Sequence, residues 1–263
     1  MSQAMARSLV VTGSLASRRV LAERGGTVLS LGFYAIVVMV LSGLWRAAAR
    51  ANDGAIAGYS TAAITWYIAT SEAATVSMNF RLMADIGDDI ASGSIAVELL
   101  RPVSVLAQRI AAELGRVLPR LGGCAVVGAL LGLISGGRPA DRVALVLAIP
   151  SLVLAVACNI VAQHAFAGAT FWLRKTGATW FLYQKLVFIA GGMLLPLQVL
   201  PPWLHRVAGL LPFQAMAYAP ARLAAGFREP GLLLNQLVWL SVLGAFATAM
   251  FRAGERRLQV VGG

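Results

Sequence analysis

The chain has 263 residues, of which 59% are hydrophobic and 13% charged, with mean hydropathy +0.76 and a formal net charge of +11. A soluble domain carries about 25% charged residues, so composition excludes a water-solvated globule and makes lipid the natural surroundings. The positive charge is almost all arginine and flanks apolar runs instead of forming one stripe, which excludes nucleic-acid binding as its purpose.

Residues 1–26 lack the apolar core and small-residue cleavage site of a secretory signal. Leu9, Val10, Leu15, Val20 and Leu21 alternate there with Arg7, Arg18, Arg19 and Arg24. That pattern suits an amphipathic helix lying in the membrane interface, held by apolar burial and anionic headgroups. A disordered basic leader is the other reading.

A spanning helix needs about 20 mostly apolar residues, and six stretches qualify: 27–45, 58–80, 119–135, 143–173, 178–197 and 231–251. The first is free of charge, and the second contains Glu72. The third reads as the end of a longer helix entering from the basic side. The fourth holds Pro150, a place to bend, and the fifth holds Lys185. Between the last two, residues 198–227 are broken by Pro201, Pro202, Pro212 and Pro220, yet keep Val199, Leu200, Leu210, Leu211 and Phe213. So many prolines exclude a continuous span, and a solvated loop would be less apolar. Short re-entrant helices in the outer leaflet are expected, with Trp203 and Tyr218 at headgroup level.

With six crossings both termini share a side. That side collects Arg7, Arg18, Arg19, Arg24, Arg81, Arg101, Arg109, Arg116, Arg120, Arg174, Lys175, Arg252, Arg256 and Arg257, 14 in all, against 7 opposite: Arg46, Arg50, Arg138, Arg142, Arg206, Arg222 and Arg228. The positive-inside rule makes it the cytoplasm. The expected fold is all-α integral membrane, a single domain over residues 1–263 without internal repeat, with six transmembrane helices and both termini cytoplasmic in the cell membrane.

Between the second and third spans lies a polar, amphipathic insert, residues 84–103. Asp85, Asp88 and Asp89 fall within five positions of one another on the basic side. Gly93 and Ser94 read as a helix break and restart, with Ser94 as N-cap, and Pro102 ends the short helix. Ile95, Ala96, Leu99 and Leu100 give an apolar flank. Arg109, Glu113, Arg116 and Arg120 then recur at helical spacing on one face, where Glu113 can pair with an arginine on either side. An ordinary solvated loop with a charge-laced helix would read the same way.

Gly93-Ser-Ile-Ala-Val-Glu-Leu-Leu-Arg-Pro-Val-Ser104, followed by Glu113-Leu-Gly-Arg116, resembles the cytoplasmic signature of six-span permeases of the type-2 ATP-binding-cassette (ABC) exporter family. Leu195-Pro-Leu-Gln-Val-Leu-Pro-Pro-Trp-Leu204, Leu211-Pro-Phe213, Tyr218-Ala-Pro-Ala-Arg222 and the terminal Val260-Val-Gly-Gly263 are similar too. Ser94 stands where an acidic residue is common in that family. The resemblance implies a permease half that pairs with a second permease chain, identical or homologous. Each half presents a cytoplasmic coupling helix, here about residues 85–101, to a separate ABC ATPase subunit. The coupling residues would then be Asp85, Ile86, Asp88, Asp89, Ser94, Ile95, Glu98, Leu99, Leu100, Arg101 and Pro102, and the broken segment would form the outer gate.

No phosphate-binding loop of the G-x-x-x-x-G-K-[ST] kind accompanies Lys175 or Lys185, so ATP and magnesium are expected on the partner ATPase and no cofactor on this chain. No His-Glu-x-x-His motif exists around His164 and His205, so neither a protease nor a metal site is expected. Cys124 and Cys158, both within apolar runs, read as packing residues. Polar groups inside a span invite a functional reading. Glu72, Asn159 and Gln163 are candidates for the substrate path, with Glu72 either facing the path or bonded to a neighbouring Ser or Thr. Lys185 either lines the path, pairs with Glu72 across it, or snorkels. The competing function is an ion-driven secondary transporter, which calls for inverted repeats and paired intramembrane acids.

Overall fold

The structure is a computed structural model that describes residues 3–99, 103–173 and 177–261. Its elements in chain order are helices α1 (Gln3–Ala22) and α2 (Arg24–Arg50), then a hairpin of β1 (Ala55–Ile56) and β2 (Tyr59–Ser60), with Ala55 opposite Ser60 and Ile56 opposite Tyr59. There follow α3 (Thr61–Ser77), α4 (Leu82–Ala91), α5 (Ile95–Leu99), α6 (Val105–Gly136), α7 (Arg142–Ala167), α8 (Gly177–Ala190), α9 (Pro202–Gly209), α10 (Tyr218–Ala224) and α11 (Gly231–Val261). Short 3-10 turns occupy Gly168–Phe171, Leu197–Val199 and Pro212–Ala215. Apart from the two-residue strands, the described elements are helical, as composition requires in lipid.

Four helical stretches are long and apolar enough to cross a membrane: Arg24–Arg50, Val105–Gly136, Arg142–Phe171 and Gly231–Arg257. The stretch read as the second span yields only the 17 residues of α3, and the fifth only the 14 of α8. The reason for α3 is its position. Ser60 caps it by accepting from the Ala63 amide, and 14 of its 17 residues are buried, so it has no lipid-facing stripe and forms the centre of the molecule. It packs against α2, α6, α7 and α10. Trp66 donates from its indole to the Gly137 carbonyl at 3.1 Å, and Tyr67 from its hydroxyl to the Gly192 carbonyl at 2.5 Å. Helices α2, α6 and α7 flank α3, α11 packs against α7, and together they turn Phe33, Ile36, Leu130, Ile134, Ile149, Leu237 and Val242 outward. Such a surface is stable only in lipid or against another chain.

Helix α6 is the longest element, 32 residues with Pro119 inside it, and its first half packs along α1. Two glycines set that contact, since a Cβ added at Gly115 would lie 2.1 Å from the Gly13 carbonyl oxygen. Helix α7 likewise continues through Pro150 without a break. From Ser151 onward it is largely buried under α4, α10 and α11, pinned where the Gln236 amide donates to the carbonyls of Ser151 (3.0 Å) and Ala215 (2.9 Å).

The proline-rich segment differs from the expectation in one respect. Trp203 is exposed, but Tyr218 is buried among Tyr67, Tyr59 and the Gln198 side chain, and does not sit at a headgroup surface. Packing accounts for this: Pro212, Phe213, Ala215, Tyr218, Ala221 and Leu223 are all covered by neighbouring protein, which satisfies irregular backbone that lipid could not.

Candidate functional site

The polar insert folds as an elbow of two helices. Helix α4 is amphipathic: Leu82, Met83, Ile86 and Ile90 are buried, whereas Asp85 and Asp88 face out. Its chain stops at Gly93, whose φ of +77° is the left-handed conformation that terminates helices. Helix α5 restarts at Ile95, which is fully buried and anchors the turn. Ser94 does not act as the expected cap. Its hydroxyl donates to the Asp89 carbonyl at 3.1 Å and to the Asp89 carboxylate at 3.2 Å, tying α5 back onto α4.

Arg109, one turn into α6, holds the elbow. Its Nε and Nη2 donate to the two oxygens of Glu98 at 2.8 and 2.9 Å, and Nη2 also reaches Asp89 at 2.7 Å. A planar guanidinium meets a carboxylate through two parallel bonds, which fixes orientation as well as distance. One arginine therefore clamps α4 and α5 to the helix that leads into the apolar layer. Asp85 makes only a loose, exposed pair with Arg81 at 3.7 Å, which contributes at most about 1 kcal/mol. Glu113 is buried and pairs with Arg116.

With Asp89 and Glu98 turned toward Arg109, the outward face of the elbow includes Asp88, Ser92, Ala96 and Val97, the last 68% exposed. Leu99 closes α5, while Leu100, Arg101 and Pro102 lie outside the described residues. Val97 faces solvent whereas Ile95, two residues earlier, is buried, a difference set by helix register.

Beneath the elbow is a cavity of about 380 Å³ lined by Asp85, Asp89, Glu98, Arg109, Arg116 and His164. The His164 Nδ1 lies 2.8 Å from the Ile160 carbonyl and must carry the proton there, which leaves Nε2 buried without a hydrogen-bond partner among the described residues.

The three intramembrane candidates separate. Asn159 and Gln163 are fully buried at 0% and 1% exposure and bonded to one another at 2.7 Å. The Asn159 amide donates to the Tyr183 hydroxyl at 3.0 Å, and the Met83 amide donates to Gln163 at 3.2 Å. They join α7 to α8 and to the start of α4, so the elbow connects to the apolar layer through this relay as well as through α6. Glu72 is 5% exposed on α3 and has no hydrogen-bond or ion-pair partner among the described residues. Neither a bonded Ser or Thr nor Lys185 meets it. Lys185 instead lies exposed over the Phe181 ring, 5.1 Å from its centroid. Tyr183, unremarked in the sequence, is the group that satisfies Asn159; nothing in the pattern of residues 178–197 marked it.

At the far end of α3 the Arg222 guanidinium lies 3.3 Å from the Phe227 ring centroid and bonds Glu229 at 2.9 Å. Tyr59 completes this cluster, its ring tilted 60° against Phe227 with centroids 4.9 Å apart and its hydroxyl donating to Gln198 at 3.2 Å. The hairpin and the proline-rich segment are thereby locked over the central helix.

Comparison with curated proteins and with solved structures finds no match. Comparison with known protein families matches residues 36–262 to the family described as ABC-2 family transporter protein. The match includes the clamped elbow, the buried relay and the proline-rich segment, and it spans most of the 263 residues. The chain belongs to the ABC-2 transporter family.

Proposed function

We propose that this chain is the permease subunit of an ABC exporter, crossing the membrane six times and driven by separate ATPase subunits that grip the α4–α5 elbow. The observation that carries the reading is the Arg109 clamp. It welds the elbow to α6 with three short charge-assisted bonds, so a force applied at α5 is transmitted to a 32-residue helix with little slack. The short α3 and α8 complete the six crossings, α3 inside the bundle and α8 extended by the turns that follow it. A second permease chain completes the pathway, and ATP and magnesium belong to the ATPase. Glu72 is the path residue that this reading favours, because its carboxylate has no hydrogen-bond or ion-pair partner among the described residues.

The docking face is the outward one, Asp88 and Val97, and the internal clamp lies behind it. Co-purification with the cognate ATPase is the test. Val97→Asp and Asp88→Arg are expected to lower ATPase capture at least about tenfold while leaving the permease folded. Full capture by both variants overturns the coupling assignment. Glu72→Ala is expected to change transport rate with normal ATPase capture; an unchanged rate removes Glu72 from the path.

A further inference from the structure

A second cavity of about 380 Å³ opens between α1 and the first half of α6, lined by Leu15, Arg19, Val20, Glu23, Arg116 and Arg120 among others. We propose that it binds the phosphodiester headgroup of an anionic glycerophospholipid from the leaflet on which α1 lies. Three observations converge on that occupant.

The first is charge. Three guanidiniums face the groove, and only two carboxylates offset them: Glu113, paired with Arg116, and Glu23. One positive charge is left over, the complement of a single phosphodiester. The second is an unmet donor. The Arg120 Nε is buried without a hydrogen-bond partner among the described residues, and neither Arg120 nor Arg19 forms an ion pair there. A buried unsatisfied N–H is costly unless a ligand or water meets it.

The third observation is depth, and it comes from two elements independently. In α6, charged side chains recur up to Arg120 and none occurs in residues 121–136. At the other wall, Arg19 and Glu23 precede Arg24, after which residues 25–45 carry no charge. Both walls therefore change from charged to apolar at the same level, where phosphates sit. Leu15 and Val20 add apolar lining beside the guanidiniums. The groove is preformed, because the Gly13–Gly115 contact holds the two helices at fixed separation, so little ordering opposes binding. This site depends on embedding in lipid and not on the ATPase-coupled reading, so the two fail separately.

The test is native mass spectrometry of the purified full-length protein in mild detergent, titrated with phosphatidylglycerol or phosphatidylcholine. Phosphatidylglycerol is expected to saturate one tight site, which Arg19→Gln/Arg120→Gln weakens at least about tenfold. Arg7→Gln/Arg18→Gln removes the same charge from positions of α1 that do not line the groove and is expected to change binding less than threefold. Equal losses from the two double variants, or equal affinity for phosphatidylcholine, overturn the proposal. So does displacement of the lipid by millimolar inorganic phosphate, which would assign the groove to a soluble anion.

Discussion

Two charged pairs join separate elements of this protein, Arg109 with Asp89 and Glu98, and Arg228 with Asp141. Arg109 is the clearest, being mostly buried while Asp89 and Glu98 stay partly wet, at 43% and 36% side-chain exposure. Solvent screening lowers the value of such pairs, yet three charge-assisted bonds to one planar group still amount to about 1–3 kcal/mol. Arg109→Lys keeps the charge and loses the fork, so it is expected to lower the unfolding midpoint by a few degrees and to reduce ATPase-coupled transport more than ATPase binding. Equal transport in the variant would show that the clamp does not transmit force. Asp141 plays the corresponding role at the opposite end. It accepts from the Ala144 amide and from Arg228, bonds that hold its carboxyl below the ordinary carboxylate range. A lowered folded-state value means that its contribution is present at neutral pH and disappears as the pH falls through that value. The difference in melting temperature between wild type and Asp141→Asn is therefore expected at pH 7 and to close in acid; a difference independent of pH would contradict this.

At the scale of elements, close approach of small residues decides which helices touch. With lipid outside, apolar burial alone does not drive one helix onto another, so contact depends on shape and hydrogen bonding. The α1–α6 pair shows it. A side chain at Gly115 collides with the Gly13 backbone, which cannot swing aside as a flexible side chain could. Gly115→Leu is expected to cost about 1–3 kcal/mol and to free α1, seen as new protease cleavage between Arg7 and Arg24 with α6 intact. A variant whose α1 resists cleavage as the wild type does would remove the glycine contact from the account. The relay of Gln163, Asn159 and Tyr183 works by the second route. Each buried amide finds a partner on another helix, and so these residues hold α4, α7 and α8 together.

For the whole molecule, the central α3 separates two worked ends by about 25 Å, the length of its 17 residues. The elbow and its cavity stand at one end, the hairpin and the Arg222 cluster at the other. Membrane-impermeant thiol reagents are expected to reach Asp88→Cys and Arg206→Cys from opposite faces of a sealed vesicle. The native Cys124 and Cys158 are buried and add little background. Labelling of both from the same face would exclude the six-crossing arrangement.

The sequence by itself determined the solvent, the helical class, the elbow with its break at Gly93, and the family. Composition, apolar run length and local motif are properties of neighbouring residues, so they can be read without a fold. Tertiary structure alone decided that Arg109 reaches back to Glu98 and Asp89, that Ser94 bonds Asp89 instead of capping, and that Val97 faces out. It also decided that Tyr218 is covered and that Asn159 and Gln163 satisfy one another. Each of these depends on which helix lies across from which, and in a chain where nearly every helix is apolar the pattern is compatible with many neighbours. Contact geometry and hydrogen-bond satisfaction choose among them.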